Sequence, residues 1–317
     1  MKTEEMMSWE VLFSRYCRQL VVANYSPETI RTLTVSFNRF SEFLSEVNVR
    51  DARLVTAQTL SDFQIWLFHQ PTFRGTARTP ASQNRLMAFI KTFFAFMHQE
   101  GHIPTNPAKY VKYAKEPDSL PKNVLTPDEA QKLVEAPDLS TLHGYRDRTI
   151  LEVLYGTGIR KQELLNLTVQ DVDLEQGILY VRRGKGQKDR VVPLTQVACK
   201  FLETYIKSIR LDLLRGQQSK ALFVSRRFGY SLGTHALGII IKNYTKQLGM
   251  KKKVTPHLWR HTCATHLLKN NANLRCVQEL LGHKSLSTTE KYLRLTIADL
   301  KEAHTKFHPR EQDAKAA

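Results

Sequence analysis

The chain has 317 residues, 42% of them hydrophobic and 24% charged, which is the composition of an ordinary globular protein of about two domains. It shows no apolar run near the roughly 18 residues of a membrane span and no secretion signal, so we expect a cytoplasmic protein without a membrane partner. The net charge of +17 favours nucleic acid as a partner, and the four scattered cysteines argue against a zinc site or a disulfide framework.

The first part of the chain carries apolar positions at helical spacing. The predicted helices cover about 8–24, 26–44, 59–69 and 82–99. The second of them begins with Ser26, whose hydroxyl suits an N-cap, and with Pro27, which suits the first helical turn. Four helices of this length are typical of a small bundle, so residues 1–116 are predicted to form a helical N-terminal domain.

A proline-containing segment then separates this domain from the rest of the chain. Residues 117–125 include two prolines, polar neighbours and no periodicity, which is typical of an interdomain linker. Thr126 and Glu129, three residues apart, form a capping box that begins a new helix. We therefore predict a second domain over residues 126–310, followed by a tail at 311–317.

The second domain is predicted to be mixed α/β, so the whole chain is mainly α with a small antiparallel β hairpin. Residues 178–181 and 190–194 are strand-like and flank a basic turn that contains glycine. Helical patterns cover about 196–214, 233–248, 258–270 and 274–281. Residues 126–317 hold 32 Lys and Arg against 19 Asp and Glu, a net charge of +13, so this domain supplies most of the field that attracts a polyanion.

Two basic residues beside glycines are candidates for binding an anion. Arg160 follows a glycine-containing turn at a helix start, and Glu163 lies one turn later on the same face. An arginine is electrostatically misplaced at a helix start unless an anion lies near it, although a surface ion pair with Glu163 explains the same spacing. Lys185 lies between two glycines in the hairpin turn, which suits close approach to a phosphate and equally suits a solvated hairpin tip.

Two further segments supply histidines and a tyrosine. His257 and Arg260 are three residues apart and share a helix face, so they can converge on one anion. A metal pair of His257 with His261 is disfavoured because a leucine occupies the position where the metalloprotease motif needs a glutamate, and we assign no metal. His283 follows a glycine that ends a helix, and Tyr292 lies in the next helical turn, where a lone tyrosine is usually a core residue.

As an ordered set, these residues are the groups that phosphoryl transfer to a tyrosine requires. Two guanidinium groups can hold the nonbridging oxygens and stabilise the charge that develops on five-coordinate phosphorus. A lysine or histidine can protonate the departing 5′ oxygen. The attacking phenol, whose pKa is ordinarily about 10, must lose its proton. No metal or other cofactor is needed for this chemistry.

The same segments closely resemble the tyrosine recombinase, or phage integrase-like, family, and most closely its compact bacterial Xer-like members. The segments that carry the resemblance are 158–164, 184–194, 255–261, 280–283 and 288–292. Their order and spacing fit the family across about residues 126–295, whereas the N-terminal helices fit its core-binding domain by size and pattern alone. One departure is Trp259, which occupies an apolar helix position where leucine is common.

The resemblance implies a role for each candidate in cutting and rejoining DNA. Tyr292 is then the nucleophile that forms a 3′-phosphotyrosyl intermediate, and Arg160 and Arg260 bind the scissile phosphate. Lys185 is the general acid for the leaving 5′ hydroxyl. His257 and His283 then orient the phosphate and share proton transfer, and Glu163 supports Arg160 and His257. The resemblance implies no cofactor.

The resemblance also implies that the two domains clamp duplex DNA that carries short inverted repeats. The candidate contacts to the DNA backbone are Arg182, Arg183, Lys188, Arg190, Lys251, Lys252 and Lys253. A solvated loop explains the three consecutive lysines equally well. Recombination of two duplexes implies a homotetramer, alone or with a partner recombinase, in a protein associated with the nucleoid.

Two other functions are compatible with the same segments. A type IB-like topoisomerase uses similar chemistry to relax DNA, and a DNA-binding regulator keeps the fold without catalysis. For a recombinase, the sequence leaves open whether it resolves chromosome or plasmid dimers or mobilises a transposon, a phage or a gene cassette.

Overall fold

The computed structural model describes residues 8–72, 75–116, 124–182, 189–225 and 230–282. The chain divides into two compact units between Asp118 and Ser119, which lies inside the range expected to be a linker. The limits of the two domains themselves stay a prediction. Within the described ranges, no helix is both long enough and apolar enough to cross a membrane.

The first unit is a bundle of α-helices. In its described part the helices are α1 (Trp9–Val22), α2 (Pro27–Glu46), α3 (Ala57–His69) and α4 (Pro80–Gln99), with a 3-10 turn at Ala52–Leu54. Helices α3 and α4 each begin two residues earlier than the apolar pattern predicts. The reason is capping, because the hydroxyls of Thr56 and Thr79 accept hydrogen bonds from the amides of Thr59 and Ser82.

Phenylalanine rings fill the interior of this bundle. Phe40, Phe63, Phe93 and Phe94 are fully buried, and Phe40 meets Phe63 edge to face with 5.0 Å between ring centroids. Each such ring pair adds about 0.5–1.5 kcal/mol to the stabilisation from apolar burial. The aromatic core therefore holds α2, α3 and α4 in fixed positions relative to one another.

The second unit is mainly helical around one small sheet. Its described helices are α5 (Pro127–Glu135), α6 (Leu142–Thr157), α7 (Lys161–Asn166), α8 (Gln196–Thr204), α9 (Arg210–Leu214), α10 (Ala236–Gln247), α11 (Pro256–Lys269) and α12 (Leu274–Leu281). A 3-10 turn covers Val169–Asp171, and a π-helical turn at Tyr205–Ile209 joins α8 directly to α9. The helical segment predicted over 196–214 is therefore continuous, with the π turn in its middle.

The sheet of the second unit is antiparallel, with its described strands in the order β1–β2–β3. The strands are β1 (Val172–Asp173), β2 (Ile178–Val181) and β3 (Arg190–Pro193). Leu179 of β2 lies opposite Val192 of β3, and both side chains are fully buried. The sequence does not predict β1, because two residues are too few to show an alternating pattern. The fold class predicted from the sequence, mainly α with a small antiparallel β element, is confirmed.

Helix α6 is buried on most of its circumference and supports the site described below. Besides apolar residues it carries a buried ion pair, in which Arg146 Nη2 donates to Asp147 Oδ1 at 2.7 Å. Tyr244 Oη, on α10, donates to the other oxygen of Asp147 at 3.0 Å. Since a buried charge is costly unless it is paired and hydrogen-bonded, this network fixes α6 against α10.

Candidate active site

The site begins at a glycine corner where α6 ends. Gly158 adopts the left-handed conformation with φ of +60°, which favours glycine. A Cβ atom at this position would lie 2.9 Å from Leu281 Cδ2 and 3.2 Å from Cys263 Sγ. Only glycine therefore lets the end of α6 approach α11 and α12 this closely. The corner directs the chain to Arg160, which is the residue immediately before α7.

Glu163 is the anchor of the site. Its side chain is only 5% exposed, and its two oxygens accept four hydrogen bonds from two arginines. Arg160 donates its Nη1 to Oε1 and its backbone N–H to Oε2, both at 2.8 Å. Arg190 donates Nη1 to Oε1 at 2.9 Å and Nη2 to Oε2 at 2.8 Å. Glu163 therefore fixes Arg160 through both its side chain and its backbone.

These contacts keep Glu163 ionised in spite of its burial. Burial alone raises the pKa of a carboxyl group, but the hydrogen bonds from Arg190 and Arg160 outweigh it and lower the pKa of Glu163 from 4.5 to about 2. The carboxylate is thus charged at neutral pH. It balances part of the positive charge that the arginines bring into the site.

Three arginines satisfy the last carbonyl groups at the C-terminal end of α12. Arg190 Nε donates to the Leu280 carbonyl at 3.0 Å, and Arg160 Nη2 donates to the Gly282 carbonyl at 3.0 Å. Between them, Arg260 Nη2 donates to the Leu281 carbonyl at 2.6 Å. The last carbonyls of a helix have no partner within the helix and carry partial negative charge, which favours cations.

Arg260 connects three helices. It lies on α11, is 4% exposed, and donates Nη1 to the carbonyl of Gly158 at 2.9 Å besides its bond to α12. His257 lies one turn earlier on the same helix and is exposed to solvent. The next turn carries His261, whose pKa is lowered by burial and by the nearby His257. Arg260 is therefore held rigidly, while His257 is accessible to a ligand.

Chemically, the described part of the site is a cluster of positive charge with one buried carboxylate. Arg160, Arg190 and Arg260 bring three guanidinium groups to adjacent carbonyl groups, and Glu163 neutralises only one of the three charges. Such an arrangement favours an anion with several oxygen acceptors, and the geometry of a guanidinium group matches that of phosphate and of carboxylate. In the described ranges, no group of three or more His, Cys, Asp or Glu side chains is placed to hold a metal ion.

Several residues predicted from the sequence lie outside the described residues. They are Arg183, Lys185, Lys188, His283 and Tyr292. The predicted catalytic set has six residues, and the other three of them are described: the structure brings Arg160 and Arg260 to neighbouring carbonyl groups and places His257 on the helix of Arg260. Glu163 contacts Arg160, as its predicted supporting role requires. The catalytic roles themselves stay predictions.

The other described residues that are predicted to contact DNA differ in their exposure and in whether their charged groups form ion pairs. Arg182 is 63% exposed and donates Nε to Asp171 at 2.6 Å. Lys252 donates Nζ to Glu129 Oε2 at 2.5 Å and to the carbonyl of Val124, so it ties α5 to the loop before α11. The exposed neighbours of that lysine are Lys251 and Lys253. All of these assignments as DNA contacts stay predictions.

Sequence reasoning placed Arg190 among the DNA contacts and missed its bond to Glu163. The side chain is 13% exposed and its guanidinium group bonds inside the protein. The strand pattern could have indicated that Arg190 points inward, because alternate residues of a strand face the same side. Val192 is fully buried and Val191 is half exposed, so Arg190 lies on the inner face with Val192. The carboxylate that Arg190 contacts could not be read from this pattern.

Comparison with known proteins gives consistent matches along the chain. Residues 123–298 match the phage integrase family. The chain is 36% identical over 290 residues to tyrosine recombinase XerC 2 of Ralstonia nicotianae, covering 92% of this chain and 83% of that protein. It is 34% identical over 302 residues to tyrosine recombinase XerD of Staphylococcus aureus, covering 95% of this chain and 99% of that protein.

Solved structures give the same architecture. The crystal structure of XerA recombinase matches with a TM-score of 0.53 and 31% identity over 95% of this chain and 99% of that one. XerH site-specific recombinase, in a pre-cleavage complex with its difH substrate, matches with a TM-score of 0.68 and 22% identity. That match covers 93% of this chain and 83% of the XerH chain.

Proposed function

The chain belongs to the phage integrase family, and we propose from this premise that Tyr292 is the nucleophile with which it cuts and rejoins DNA. The family match covers more than half of the chain, and the two Xer relatives align with more than nine tenths of it. The protein is accordingly a tyrosine-type, site-specific DNA recombinase. The assignment of individual residues to steps of the reaction is our proposal.

The single observation that supports this proposal best is the convergence of Arg160 and Arg260. They donate to the carbonyl groups of two consecutive residues, Gly282 and Leu281, and therefore lie side by side. Two neighbouring guanidinium groups on rigid supports can each bond a nonbridging oxygen of one phosphodiester. Donors fixed before the reaction stabilise the charge that develops in the transition state without having to reorganise.

In the proposed reaction the phenol of Tyr292 gives its proton to one of the two histidines that share proton transfer, and its oxygen attacks the scissile phosphorus. A bond forms between that oxygen and phosphorus, the bond from phosphorus to the 5′ oxygen breaks, and a 3′-phosphotyrosyl link results. Lys185 gives a proton to the leaving 5′ oxygen, while His257 and His283 orient the phosphate and share proton transfer. Attack by the 5′ hydroxyl of another strand reverses these steps and joins the strands. No energy source is consumed, because the phosphotyrosine keeps the bond energy.

The proposed partner is duplex DNA with short inverted repeats. The net charge of +13 on residues 126–317 supports this choice, because phosphate neutralisation supplies most of the affinity of such proteins for DNA. The solved XerH relative is bound to its difH substrate, and the transposon Tn1549 integrase is bound to a circular intermediate DNA. We further propose that four protomers, alone or with a partner recombinase, join two duplexes, and that the protein acts at the nucleoid.

The two alternative functions are not favoured. The relatives given above carry the name tyrosine recombinase, which fits neither a relaxing topoisomerase nor a regulator without catalysis. Dimer resolution and the mobilisation of a genetic element both use the proposed chemistry. Recovery and sequencing of the DNA bound in cells will distinguish these two roles by the location of its inverted repeat: a site in a chromosome or plasmid outside any mobile element would indicate dimer resolution, and a site at the ends of a mobile element would indicate mobilisation.

The proposed nucleophile is tested by trapping the covalent intermediate. We expect the protein to form an adduct with a nicked suicide duplex that survives a denaturing gel, and the Tyr292→Phe variant to form none. Tyr230→Phe is the matched control, because Tyr230 is an exposed tyrosine of the same unit and should keep the adduct. An unchanged adduct in Tyr292→Phe would exclude this tyrosine as the nucleophile.

A further inference from the structure

The guanidinium group of Arg190 forms hydrogen bonds within the protein. It is the first residue of β3, and its side chain is 13% exposed. Its two Nη atoms each donate to a different oxygen of Glu163, at 2.9 and 2.8 Å, while Nε donates to the carbonyl of Leu280 at 3.0 Å. All three nitrogens of the guanidinium group are thus engaged, which links β3, α7 and the end of α12.

The first route from Arg190 to Arg160 runs through Glu163. The carboxylate oxygens that accept from Arg190 also accept from Arg160 Nη1 and from the Arg160 backbone N–H. A carboxylate held by two parallel bonds cannot rotate about its terminal torsion without breaking both. The direction of the Arg160 side chain therefore depends on the bonds that Arg190 makes.

The second route runs through Gly282. The carbonyl of this glycine accepts a hydrogen bond from Arg160 Nη2 at 3.0 Å. Arg190 packs directly on the same residue, because a Cβ atom at Gly282 would lie 3.1–3.2 Å from Arg190 Cδ, Nε and Nη1. Arg190 thus restrains both of the groups that hold the two ends of the Arg160 guanidinium.

We propose that Arg190 is a positioning residue that holds the guanidinium of Arg160 in place to bind the scissile phosphate. The inference rests on the proposed function, in which Arg160 binds that phosphate. In this role Arg190 does not contact the DNA backbone, which is the role predicted from the sequence. It acts instead through Glu163 and Gly282. A lysine does not substitute, because a single ammonium group cannot make two parallel bonds to a carboxylate and a third to the Leu280 carbonyl.

The test compares two scissile linkages in the single-turnover formation of the covalent adduct. One suicide duplex carries the natural phosphodiester, and the other carries a methylphosphonate, in which a methyl group replaces one charged nonbridging oxygen. The neutral methylphosphonate develops less negative charge in the transition state, so its cleavage depends less on the guanidinium of Arg160. The ratio of the two rates in one preparation does not depend on the fraction of folded protein.

We expect Arg190→Met to lower the rate on the phosphodiester by on the order of 10²-fold, since misplacement of a binding group by about 1 Å has that effect. The loss should be much smaller on the methylphosphonate, and Arg160→Met should show the same pattern. The apparent Kd for DNA should stay unchanged in Arg190→Met. Arg190→Lys should recover only part of the rate.

Several outcomes overturn the inference. An equal loss on both linkages would mean that Arg190 only stabilises the fold, and a weaker Kd with a normal rate at saturation would make it a DNA contact. Full activity of Arg190→Lys would remove the need for the two parallel bonds. Failure of the unchanged protein to form an adduct on the phosphodiester would instead overturn the proposed function, and this inference with it.

The matched control is Arg275→Met. Arg275 is an exposed arginine of the same unit that pairs with Glu279 at 3.3 Å, so the change removes one positive charge and one ion pair away from Glu163. It should leave both rates within about twofold of the unchanged protein, as surface substitutions generally have small effects. A loss in this control equal to that in Arg190→Met would attribute the effect to net charge and contradict the positioning role.

Discussion

At the scale of single residues, one carboxylate organises the positive charge of the site. Glu163 accepts hydrogen bonds from Arg160 and Arg190, and its exposure is only 5%. Breaking a buried ion pair by removing one partner is strongly destabilising, because it leaves an uncompensated charge. Glu163 therefore contributes to folding stability as well as to the orientation of Arg160.

The stabilisation by Glu163 should depend on pH. Its pKa is about 2 in the folded protein against 4.5 ordinarily, so its contribution is fully present above pH 4.5 and is lost as the pH falls through 2. At neutral pH the lowered pKa of Glu163 contributes on the order of 3 kcal/mol to the free energy of unfolding. We expect the difference in unfolding free energy between the unchanged protein and Glu163→Gln to narrow steadily between pH 5 and pH 3 in urea titrations. A difference that stays constant over this range would contradict the account.

Residue identity predicted the candidate catalytic groups better than it predicted their contacts. Arg160, Glu163 and Arg260 were identified from motif and spacing, and the structure places them in one cluster. Arg190 is predicted from the sequence as a contact to the DNA backbone, because the sequence shows its charge but not which carboxylate it contacts. Burial of Arg190 follows from its strand face, whereas its bond to Glu163 arises from contacts between distant segments.

At the scale of secondary-structure elements, the sequence predicts the positions of the helices more accurately than the residues at which they begin. Apolar periodicity located α1 to α4 and α10 to α12, while hydroxyl caps extended α3 and α4 by one half turn at their starts. The strand β1 escaped prediction because it has only two residues. Short elements of this kind are defined by their partners in the sheet rather than by their own pattern.

The glycine corner between α6 and α7 should be sensitive to any added side chain. Gly158→Ala combines a left-handed backbone, which costs about 1–2 kcal/mol for other residues, with a Cβ only 2.9 Å from Leu281 Cδ2. Gly249→Ala is the matched control, because Gly249 has a φ of +61° but no atom near its Cβ position. We expect Gly158→Ala to lower the Tm more than the control and to slow adduct formation. Equal effects of the two changes would show that the close packing of α6, α11 and α12 is not needed.

At the scale of the whole molecule, the charge is distributed unevenly along the chain. Residues 1–125 carry 15 Lys and Arg against 11 Asp and Glu, whereas residues 126–317 carry the net charge of +13. Such an excess makes association with DNA dependent on the release of counterions. The second unit should therefore dominate the electrostatic part of DNA binding.

DNA affinity should fall steeply with salt concentration. If about 6–10 phosphates are contacted, the affinity should drop by about 10³–10⁵ between 50 and 200 mM salt. Changing Lys251 and Lys253 to Gln should reduce the slope of log K against log salt by about one for each lysine. The control Lys207→Gln should leave the slope unchanged, because Lys207 is already paired with Glu203 at 2.6 Å. Binding that is insensitive to salt would exclude a phosphate-dominated interface.

The central claim is that Tyr292 attacks the phosphodiester that Arg160 and Arg260 hold and becomes joined to its 3′ end. It is tested most directly by digesting the trapped DNA adduct with protease and nuclease and locating the modified residue by mass spectrometry. We expect one modified peptide, which carries a 3′-linked nucleotide on Tyr292. A nucleotide attached to any other residue, or attached through its 5′ end, would contradict this account.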